Sequence, residues 1–367
     1  MTESKRILLA VSGMSSQILT ETLYVLVTQP EPFIPDQIYL ISTIEGADRA
    51  KLDLLHSETG KFHKLCEDYS LPPISFSTDD ILVITDKDGE EMADIRSHSD
   101  NESAADFITQ RIRKITAEPN TILHASMAGG RKTMGYYLGY ALSLYGRKQD
   151  SLSHVLVPEG YDGHRDFFYP SPKSHVIYAR DNKPLDTHNV KVELANIPFI
   201  RLRDNFSETL LKKDVGFSDI VSQASRLTDA PMLTIDLHSK TLHAHNIKIE
   251  LKPTLFAFYT MFVKSALDGE SITVPHELEP NQDYAHRFLD IYKSQLGEMR
   301  DTDKTEFALK NGMDANFFTE KISRIKNGFE VELGKTLAAH YKITRTGKRG
   351  SGTYMINLPS EQIDLKE

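Results

Sequence analysis

The sequence predicts an α/β protein, with a mostly parallel, doubly wound sheet in its first half and a smaller α+β domain in its second. In the first half, apolar runs of strand length alternate with longer segments whose apolar residues recur at helical spacing, and this alternation builds parallel sheets covered by helices. Near residue 200 the apolar runs become shorter and indicate antiparallel strands with helices between them. Because 367 residues exceed one typical core, we expect two domains, residues 1–204 and 205–367.

Five strands are predicted in the first half, and each of the first four leads into a helix. The run RILLAVSG is apolar throughout its centre, as expected for a strand buried on both faces. Pro30 ends the first helix, and Asn101 is expected to cap the third. The predicted strands are 6–13, 36–43, 80–86, 121–126 and 152–157, and the predicted helices are 15–29, 46–69, 100–116 and 132–146.

The composition is that of a globular protein without a membrane span, with 40% hydrophobic and 26% charged residues. No apolar run approaches the ~20 residues that cross a bilayer, and the opening MTESKRILLAVSG reads as a start followed by a strand, not as a signal peptide. Cys66 is the only cysteine, which excludes a disulfide framework and a CxxC metal site, so a reducing, cytoplasmic location is expected. The net charge of −9 argues against a protein coated all over by nucleic acid.

Two glycine-containing turns follow predicted strands and lead directly into helices. The first is VSGMSSQ, residues 11–17, and the second is SMAGGRKTM, residues 126–134. Such turns expose backbone N–H groups and the positive end of a helix dipole, which together favour a phosphate. Arg131 and Lys132 would add a guanidinium fork and a point charge.

Another interpretation of these turns remains open, namely that the glycines only reverse the chain and that the Arg–Lys pair is solvated. Neither turn matches GxGxxG or GxxxxGK[ST], which disfavours a dinucleotide or Walker-type site. In favour of a phosphate site, Gly129 and Gly130 let the backbone come close to a bulky anion.

Several stretches that occur in order resemble the CRISPR-associated Rossmann-fold (CARF) domains of type III CRISPR systems: LLAVSGMSSQILTETLYVL, TIEGADRAKLDLL, DNESAADFITQRI and HASMAGGRKTMGYYLGYALSLYG. The similarity covers about residues 5–200 and is closest to the family whose CARF domain is described as a ring nuclease. It implies a Rossmann-like domain, a homodimer and a cyclic oligoadenylate ligand lying across the two-fold axis, with four adenylates as the implied ring size. Two copies of the second turn would supply paired anion sites to such a ring.

The resemblance also implies a reaction, in which a ribose 2′-OH attacks the adjacent phosphorus in line and leaves a 2′,3′-cyclic phosphate and a free 5′-OH. This step needs no metal and no cofactor, but the enzyme must hold the geometry and stabilise the developing charge. Lys132 is the candidate for the charge, while the family pattern favours Ser12 and Ser15 for orienting the 2′-OH or the phosphate and leaves Ser16 open. No general base is evident, so slow cleavage is expected. The ligand-binding candidates are Gly13, Ser16, Gln17, Thr43, Asn101, Ser126, Gly129, Gly130, Arg131, Thr133, Met134 and Phe168.

The turn-rich segment 158–172 follows the last predicted strand and carries Phe167, Phe168 and Tyr169. Two interpretations are open: the aromatic rings pack into the core, or the segment is a lid that stacks on adenine. His164 could assist proton transfer, although a lone loop histidine is more often solvated. Asn101 likewise has a structural alternative, as a plain capping residue.

The second half contains no Arg-x4–6-His pair of the kind that marks HEPN ribonuclease domains; Arg49 and His56 fit that spacing but lie in the first half. The stretch MLTIDLHSKTLHAHNIKIELKPTLFAFYTMFV is similar to the opening of winged-helix domains of the response-regulator type. The similarity implies a recognition helix in NFFTEKISRIKNG and a wing in YKITRTGKRGSGTYMINL. The cations that would reach phosphates are Lys321, Arg324, Lys326, Lys348 and Arg349.

Three functions remain open at this point. The favoured one is a dimeric enzyme that degrades cyclic oligoadenylate and so switches off the type III response. The alternatives are a transcription regulator that binds the same ring without cutting it, and a sensor that activates a partner. Duplex DNA is the less favoured partner, because basic and acidic residues nearly balance in the second half and only residues 321–349, with eight basic and two acidic residues, form a basic stretch.

Overall fold

The computed structural model describes residues 4–179, 181–188, 190–206, 211, 215–226, 230–275, 279–296, 303–347 and 352–367. The chain divides into two units. One comprises residues 1–203 and 214–221, and the other comprises residues 204–213 and 222–367. Within the described ranges, no helix combines the length and the apolar character that crossing a bilayer requires.

A six-stranded, mostly parallel sheet forms the centre of the first unit, as the alternation of strands and helices predicts. The strands of this unit are β1 (Lys5–Val11), β2 (Gln37–Ser42), β3 (Ile81–Val83), β4 (Thr121–Ser126), β5 (Ser151–Leu156), β6 (Val176–Tyr178), β7 (Pro184–Asp186) and β8 (Glu193–Asn196). The order in the sheet is β3-β2-β1-β4-β5-β8. Strands β1 to β5 run parallel, β8 runs antiparallel to β5 at one edge, and β6 and β7 form a separate hairpin. The α/β class is confirmed.

Helices cover both faces of this sheet, because β1 is apolar on both. The helices are α1 (Gln17–Thr28), α2 (Ile44–Leu55), α3 (Lys61–Asp68), α4 (His98–Ala117) and α5 (Lys132–Tyr145). A further helix, α6 (Phe217–Arg226), belongs to this unit only over residues 217–221. Leu8 and Ala10 of β1 share a core with the apolar sides of α1, α2 and α3. Side chains alternate along a strand, so the equally buried Leu9 and Val11 face the other side, where α4 and α5 pack together.

Two predicted helix boundaries are wrong, each for a local reason. The helix predicted over 46–69 is broken between α2 and α3 at Gly60, where a Cβ would lie 2.5 Å from the carbonyl oxygen of Leu54. The N-cap of α4 is Ser97 and not Asn101: the Ser97 Oγ accepts from the backbone N–H of Asp100 at 3.1 Å, and the Asp100 carboxylate accepts from the Ser97 N–H at 2.9 Å. This is a capping box, which satisfies two donors reciprocally.

The described part of the second unit contains two small sheets and several helices. Its strands are β9 (Leu233–Asp236), β10 (Thr241–Ala244), β11 (Ile247–Lys248), β12 (Ile272–Thr273), β13 (Ile343–Thr346), β14 (Thr353–Ile356) and β15 (Ile363–Lys366). Its helices are α7 (Pro253–Leu267), α8 (Gln282–Leu296), α9 (Asp303–Leu309) and α10 (Ala315–Ala338). The sheet orders are β11-β10-β9-β15, with β15 parallel to β9, and β12-β14-β13, which is antiparallel.

Aromatic side chains hold the core of the second unit around α7. The Phe258 ring lies 5.6 Å from Phe318 of α10 and 6.4 Å from Phe288 of α8, measured between ring centroids. Edge-to-face pairs of this kind add to the free energy gained by burial. The segment interpreted as a recognition helix lies inside α10, and the segment interpreted as a wing contains the β13–β14 hairpin. Lys348 and Arg349 lie outside the described residues.

Candidate functional site

The two glycine turns meet at the point where the order of the sheet reverses. Strand β2, which follows β1 in sequence, lies on one side of β1, and β4 lies on the other. The turns that follow β1 and β4 are therefore neighbours at the carboxyl edge of the sheet. This is where open α/β sheets bind ligands.

Gly13 and Gly130 bring the backbones of the two turns into contact. A Cβ added to Gly13 would lie 3.3 Å from the Cα of Gly130, tighter than an ordinary van der Waals contact. Gly130 has a φ of 81°, a left-handed conformation that favours glycine. A Cβ on Gly129 would lie 3.1 Å from the carbonyl oxygen of Val11. The approach of the turns to each other thus favours glycine at these positions, most strictly at Gly130, besides any approach to a ligand.

The N-terminus of α2 forms a third part of the site. A Cβ on Gly46 would lie 2.6 Å from the carbonyl oxygen of Gly13 and 2.2 Å from the hydroxyl of Ser42, so only glycine allows the helix to seat against the first turn. Thr43, the N-cap of α2, is buried beside it. Gly46 is not among the site residues predicted from the sequence, although a glycine just beyond a strand end, in TIEGAD, is a signal that could have identified it.

The three serines of the first turn have different surroundings. Ser12 is fully buried, and its hydroxyl donates to the carbonyl of Ser15 at 2.8 Å. Ser16 is also buried, and its hydroxyl donates to the Asp53 carboxylate at 2.6 Å. Ser15 is exposed. Among the three serines, Ser15 is therefore the one accessible to a ligand in this conformation, whereas the Ser12 hydroxyl stabilises the turn through its hydrogen bond to the Ser15 carbonyl.

Asp53 of α2 anchors the first turn and was not anticipated from the sequence. Its Oδ2 accepts from Ser16 and also from the Nε of Arg49 at 2.7 Å. Because the Ser16 hydroxyl is directed to Asp53, it does not cap its own helix, and the first turn of α1 has no side-chain cap. The N-termini of α2 and α5 also lack one. The ends of α1 and α5 therefore keep backbone donors that an anion can accept, whereas the first N–H of α2, that of Ile44, already donates to the Met92 carbonyl at 2.9 Å and Glu45 lies in the same turn.

Arg131 and Lys132 differ in how freely they can meet a ligand. Arg131 forms an ion pair with Asp94, in which its Nε donates to Oδ1 at 3.1 Å. Hydrogen bonds from Arg131, and then from Arg96, hold the pKa of Asp94 well below its usual range, and Asp94 raises the pKa of Arg131 in turn. Lys132 opens α5 and is exposed, and no described carboxylate forms an ion pair with it. Lys132 is the available cation, whereas a phosphate at Arg131 must compete with Asp94.

Several other predicted residues stabilise the turns, or the helices next to them, by packing and hydrogen bonds. Ser126 is fully buried, with its hydroxyl 3.1 Å from that of Thr22 on α1. Met134 is fully buried and packs under Gly130. The Asn101 amide donates to the Tyr137 hydroxyl at 2.5 Å, which ties α4 to α5. These side chains therefore stabilise the turns instead of facing solvent, whereas Gln17 is half-buried and Thr133 is exposed at the site.

The aromatic residues of segment 158–172 pack into the core, which is the first of the two interpretations given for this segment. Phe167, Phe168 and Tyr169 are each at most 7% exposed. Phe168 belongs to the same apolar cluster as α1 and α2, with the Lys61 ammonium 5.5 Å from its ring centroid. The lid interpretation of Phe168 is not supported, because its ring is already packed. His164 is also engaged, with its Nε2 2.9 Å from the carbonyl oxygen of Tyr178.

The described residues contain no group of three or more His, Cys, Asp or Glu side chains arranged to hold a metal ion. Of the predicted candidates at this edge, the buried ones are Ser12, Ser16, Thr43, Ser126 and Met134. The ones that are at least partly exposed are Gly13, Ser15, Gln17, Gly129, Gly130, Arg131, Lys132 and Thr133.

Comparison with solved structures matches a chain described as "putative UDP-N-acetylglucosamine 2-epimerase" from Listeria monocytogenes, with 18% identity and a TM-score of 0.22. The match covers 44% of this chain and 32% of that chain, so it spans about a third of the matched structure. No curated protein matches the sequence. Comparison with protein families matches residues 15–229 to the family described as CRISPR-associated protein NE0113. This match includes both helices that leave the glycine turns and extends over more than half of the chain, so the protein belongs to the CRISPR-associated protein NE0113 family.

Proposed function

We propose that the protein binds a cyclic oligoadenylate, cyclic tetra-adenylate above all, at the paired glycine turns and cleaves it to linear products, which switches off type III CRISPR signalling. Membership of a CRISPR-associated family supports the biological setting. The similarity to CARF ring nucleases in the same segments of the sequence supports the ligand and the reaction.

One observation carries the proposal: two glycine turns and the N-termini of α1 and α5, both without side-chain caps, converge at one sheet edge, with Lys132 exposed among them. Backbone donors at helix N-termini bind phosphate oxygens, and the helix dipoles favour negative charge there. The mutual approach of Gly13 and Gly130 keeps the donors of both turns close together. A ligand with several phosphates in a small ring suits such an edge better than a single anion does.

The proposed step is an in-line transesterification. The ribose 2′-oxygen forms a bond to the adjacent phosphorus, the bond from phosphorus to the 5′-oxygen breaks, and the 5′-oxygen takes up a proton while the 2′-hydroxyl loses one. The products are a 2′,3′-cyclic phosphate and a free 5′-hydroxyl. Lys132 stabilises the charge on the non-bridging oxygens, and the exposed Ser15 orients the 2′-hydroxyl or the phosphate. Arg131 binds a neighbouring phosphate, for which its guanidinium leaves the ion pair with Asp94.

The same proposal includes a homodimer, in which the ring lies on the two-fold axis. A symmetric ring offers the same phosphate geometry to both subunits, so one turn per subunit suffices to build a matched pair of sites.

Incubation of labelled cyclic tetra-adenylate with the protein, in excess EDTA and without added metal, tests this function. We expect linear products that end in a 2′,3′-cyclic phosphate. An intact ring that nevertheless co-elutes with the protein would contradict the cleavage step and favour a ligand-gated regulator. Cleavage that chelation abolishes would contradict the metal-independent chemistry.

For the second unit we propose an architectural role in the dimer instead of DNA binding. The Arg324 guanidinium pairs with Glu320 at 2.7 Å, Lys321 contacts the same carboxylate at 3.2 Å, and Lys326 lies 3.8 Å from Glu330. These acidic partners on α10 reduce the positive field that would attract duplex DNA. Negligible binding of duplex DNA at physiological salt is expected. Tight, salt-sensitive and sequence-selective binding would favour the transcription-regulator function.

A further inference from the structure

A cavity of about 560 Å³ lies in the first unit, on the α1 side of the sheet. Its floor is formed by β1, β4, β5 and β8, and its other wall by the end of α1 and the segment that follows it. Its lining includes Arg6, Phe33, His124, Ser151, Leu194 and Asn196. This volume falls in the range of small-molecule and cofactor sites.

The strand register gives the cavity its length and its polarity. Arg6 on β1 lies beside Ile122 of β4, His124 of β4 lies beside Ser151 of β5, and Ser153 of β5 pairs with Asn196 of β8. From Arg6 to Asn196 the floor crosses three strand spacings, roughly 14 Å, and also moves four residues along the strands, roughly 13 Å, so the two Cα atoms are roughly 19 Å apart. The Arg6 side chain covers part of this distance, because its guanidinium lies beside the Phe33 ring, whose centroid is 5.5 Å from that of His124. A guanidinium stands at one end of this slot, a side-chain amide at the other, and hydroxyl and imidazole groups lie between them.

Arg6 is the cation of the slot, and it is exposed. Its guanidinium carbon lies 6.0 Å from the centroid of the Phe33 ring, and no described carboxylate forms an ion pair with it. An arginine that is held against an aromatic ring and not paired with an acid presents a pre-organised fork to a phosphate or carboxylate.

The middle of the slot is polar and neutral. His124 is 5% exposed; its Nδ1 lies 2.9 Å from the Ser151 hydroxyl and its Nε2 lies 2.7 Å from the Ser153 hydroxyl. Burial lowers the pKa of His124 to about 4, so the ring is uncharged at neutral pH. The half-buried Ser151 lines the cavity and offers it a neutral hydroxyl, whose position is set by the hydrogen bond to His124.

These features select the ligand class. A plain acyl chain would place methylene groups against the Arg6 guanidinium and the Asn196 amide and satisfy neither, which costs free energy once water is expelled. A lone phosphate would occupy only the Arg6 end. A molecule about as long as the slot, with an anion at one end and a ring bearing hydrogen-bonding heteroatoms at the other, satisfies both ends and the middle.

We propose that this slot binds a nucleoside monophosphate, with its phosphate on Arg6 and its base toward Asn196. Gln29 and Glu31, on the opposite wall, supply partners for the ribose hydroxyls. The Arg6 end of the slot lies near the start of β1 and its Asn196 end lies on the edge strand β8, whereas the glycine turns follow the ends of β1 and β4. It is therefore a separate site, and it does not depend on the function proposed for the turns.

Isothermal titration calorimetry of the full chain with AMP tests the proposal, with adenosine and inorganic phosphate as part-ligands. Arg6→Gln is expected to weaken AMP binding about 10- to 100-fold, the effect of losing a charged hydrogen-bonding contact. Asn196→Leu is expected to weaken AMP but not phosphate. Lys5→Gln is the matched control, since Lys5 precedes Arg6 on β1 and alternation places it on the other face of the sheet.

Lys132→Ala separates this slot from the glycine turns. If AMP occupies the slot, Lys132→Ala binds AMP as the parent protein does. Loss of AMP binding in Lys132→Ala together with full binding in Arg6→Gln would overturn the proposal, because AMP would then bind at the turns. Binding by the parent protein weaker than about 1 mM would also overturn it. Circular dichroism melts of each variant verify that a lost signal is not lost folding.

Discussion

Lys132 and Ser15 are the two side chains of the glycine turns that combine exposure with chemistry suited to phosphoryl transfer. The sequence identified the serines as a group but could not choose among them. The choice depends on contacts with distant parts of the chain: Ser16 is bound to Asp53, which lies 37 residues away, and the Ser12 backbone is bound to the Ser42 hydroxyl. Such pairings follow from the packing of α2 against the first turn and leave no periodic signal in the sequence.

Lys132→Ala is expected to slow single-turnover ring cleavage by roughly 2–4 kcal/mol in activation free energy, the usual effect of removing one electrostatic donor. Ring binding should weaken less, because the charge on the phosphoryl oxygens is greatest in the transition state. Quenched-flow cleavage and equilibrium binding of the ring measure the two quantities. Lys148→Ala, an exposed lysine just beyond the end of α5, is the matched control.

Equal losses in rate and in binding for Lys132→Ala would assign the lysine to ground-state binding. An unchanged rate would remove it from the site altogether, and Ser15 would then be the next residue to replace.

Glu21 on α1 is a buried acid that the proposed reaction does not use. It is 2% exposed, and its Oε1 has no hydrogen-bond partner among the described residues. Burial, and then the nearby carboxylate of Asp162, raises the pKa of Glu21 to about 8. The folded chain therefore holds a proton on Glu21 at neutral pH that the unfolded chain releases near pH 4.5.

The free energy of unfolding should consequently fall as pH rises from about 4.5 to about 8, since the folded state binds more protons than the unfolded state over that interval. Glu21→Gln should remove this slope, with a gain on the order of 5 kcal/mol above pH 8. Urea unfolding at several pH values measures it, and Asp162→Asn should reduce the slope only in part. An identical slope in Glu21→Gln would contradict the assignment.

At the scale of elements, the sequence predicted which segments form strands and helices better than it predicted where they end. Alternating apolar runs identified β1 to β5 and α1 to α5, because apolar residues recur along the sequence at the spacing of the buried face of each strand or helix. The start of α4 was misjudged, since the Ser97–Asp100 capping box precedes the predicted start. The strand β8 was missed because its residues are mostly exposed or half-buried, and its place is fixed by pairing with β5.

Gly130→Ala tests whether the second turn depends on its glycine. A methyl group there meets two penalties: the left-handed backbone, with φ of 81°, and a distance of 2.8 Å to the sulfur of Met134. Gly89→Ala is the matched control, because Gly89 has a similar φ of 88° but nothing within 4 Å of the added Cβ. Both should lose about 1 kcal/mol of stability from the backbone, and Gly130→Ala should lose a further ~1–2 kcal/mol from the overlap.

Thermal melts measure that difference, and ring binding measures its consequence for the site. Gly130→Ala should bind the ring more weakly while Gly89→Ala binds it normally. Equal stabilities for the two variants would mean that Met134 moves aside without cost, and the turn would then tolerate a side chain.

At the scale of the whole molecule, the sequence predicted two domains but not the path of the chain near their boundary. The predicted boundary follows residue 204, whereas residues 214–221 belong to the first unit. The Phe217 ring packs against Tyr137 and Tyr140 of α5 at 5.0 and 5.2 Å, and the Phe217 N–H donates to Asp106 at 2.6 Å. Propensity and periodicity describe neighbours in sequence, so they cannot show a segment that returns to an earlier helix.

Two fragments of the chain distinguish these boundaries. Residues 1–226 retain Phe217 and should melt cooperatively, whereas residues 1–204 expose Tyr137 and Tyr140 and should lose roughly 2–4 kcal/mol, as large core truncations do. Phe217→Ala in the full chain should lower stability in the same direction. If both fragments melt at the same temperature, the Phe217 contacts do not contribute to stability, and residues 1–204 suffice as a domain.

The fragment 1–226 also tests the architectural role proposed for the second unit. If the second unit holds the dimer together, light scattering should find a smaller dimer fraction for residues 1–226 than for the full chain at equal concentration. Ring cleavage should then be slower in dilute solution and recover as the fragment concentration rises, because the ring needs a turn from each subunit and mass action restores the pair. A fragment that stays dimeric and cleaves at the parent rate at every concentration would show that the first unit forms the dimer alone. The second unit would then need a different role, and duplex DNA would again be the first partner to examine.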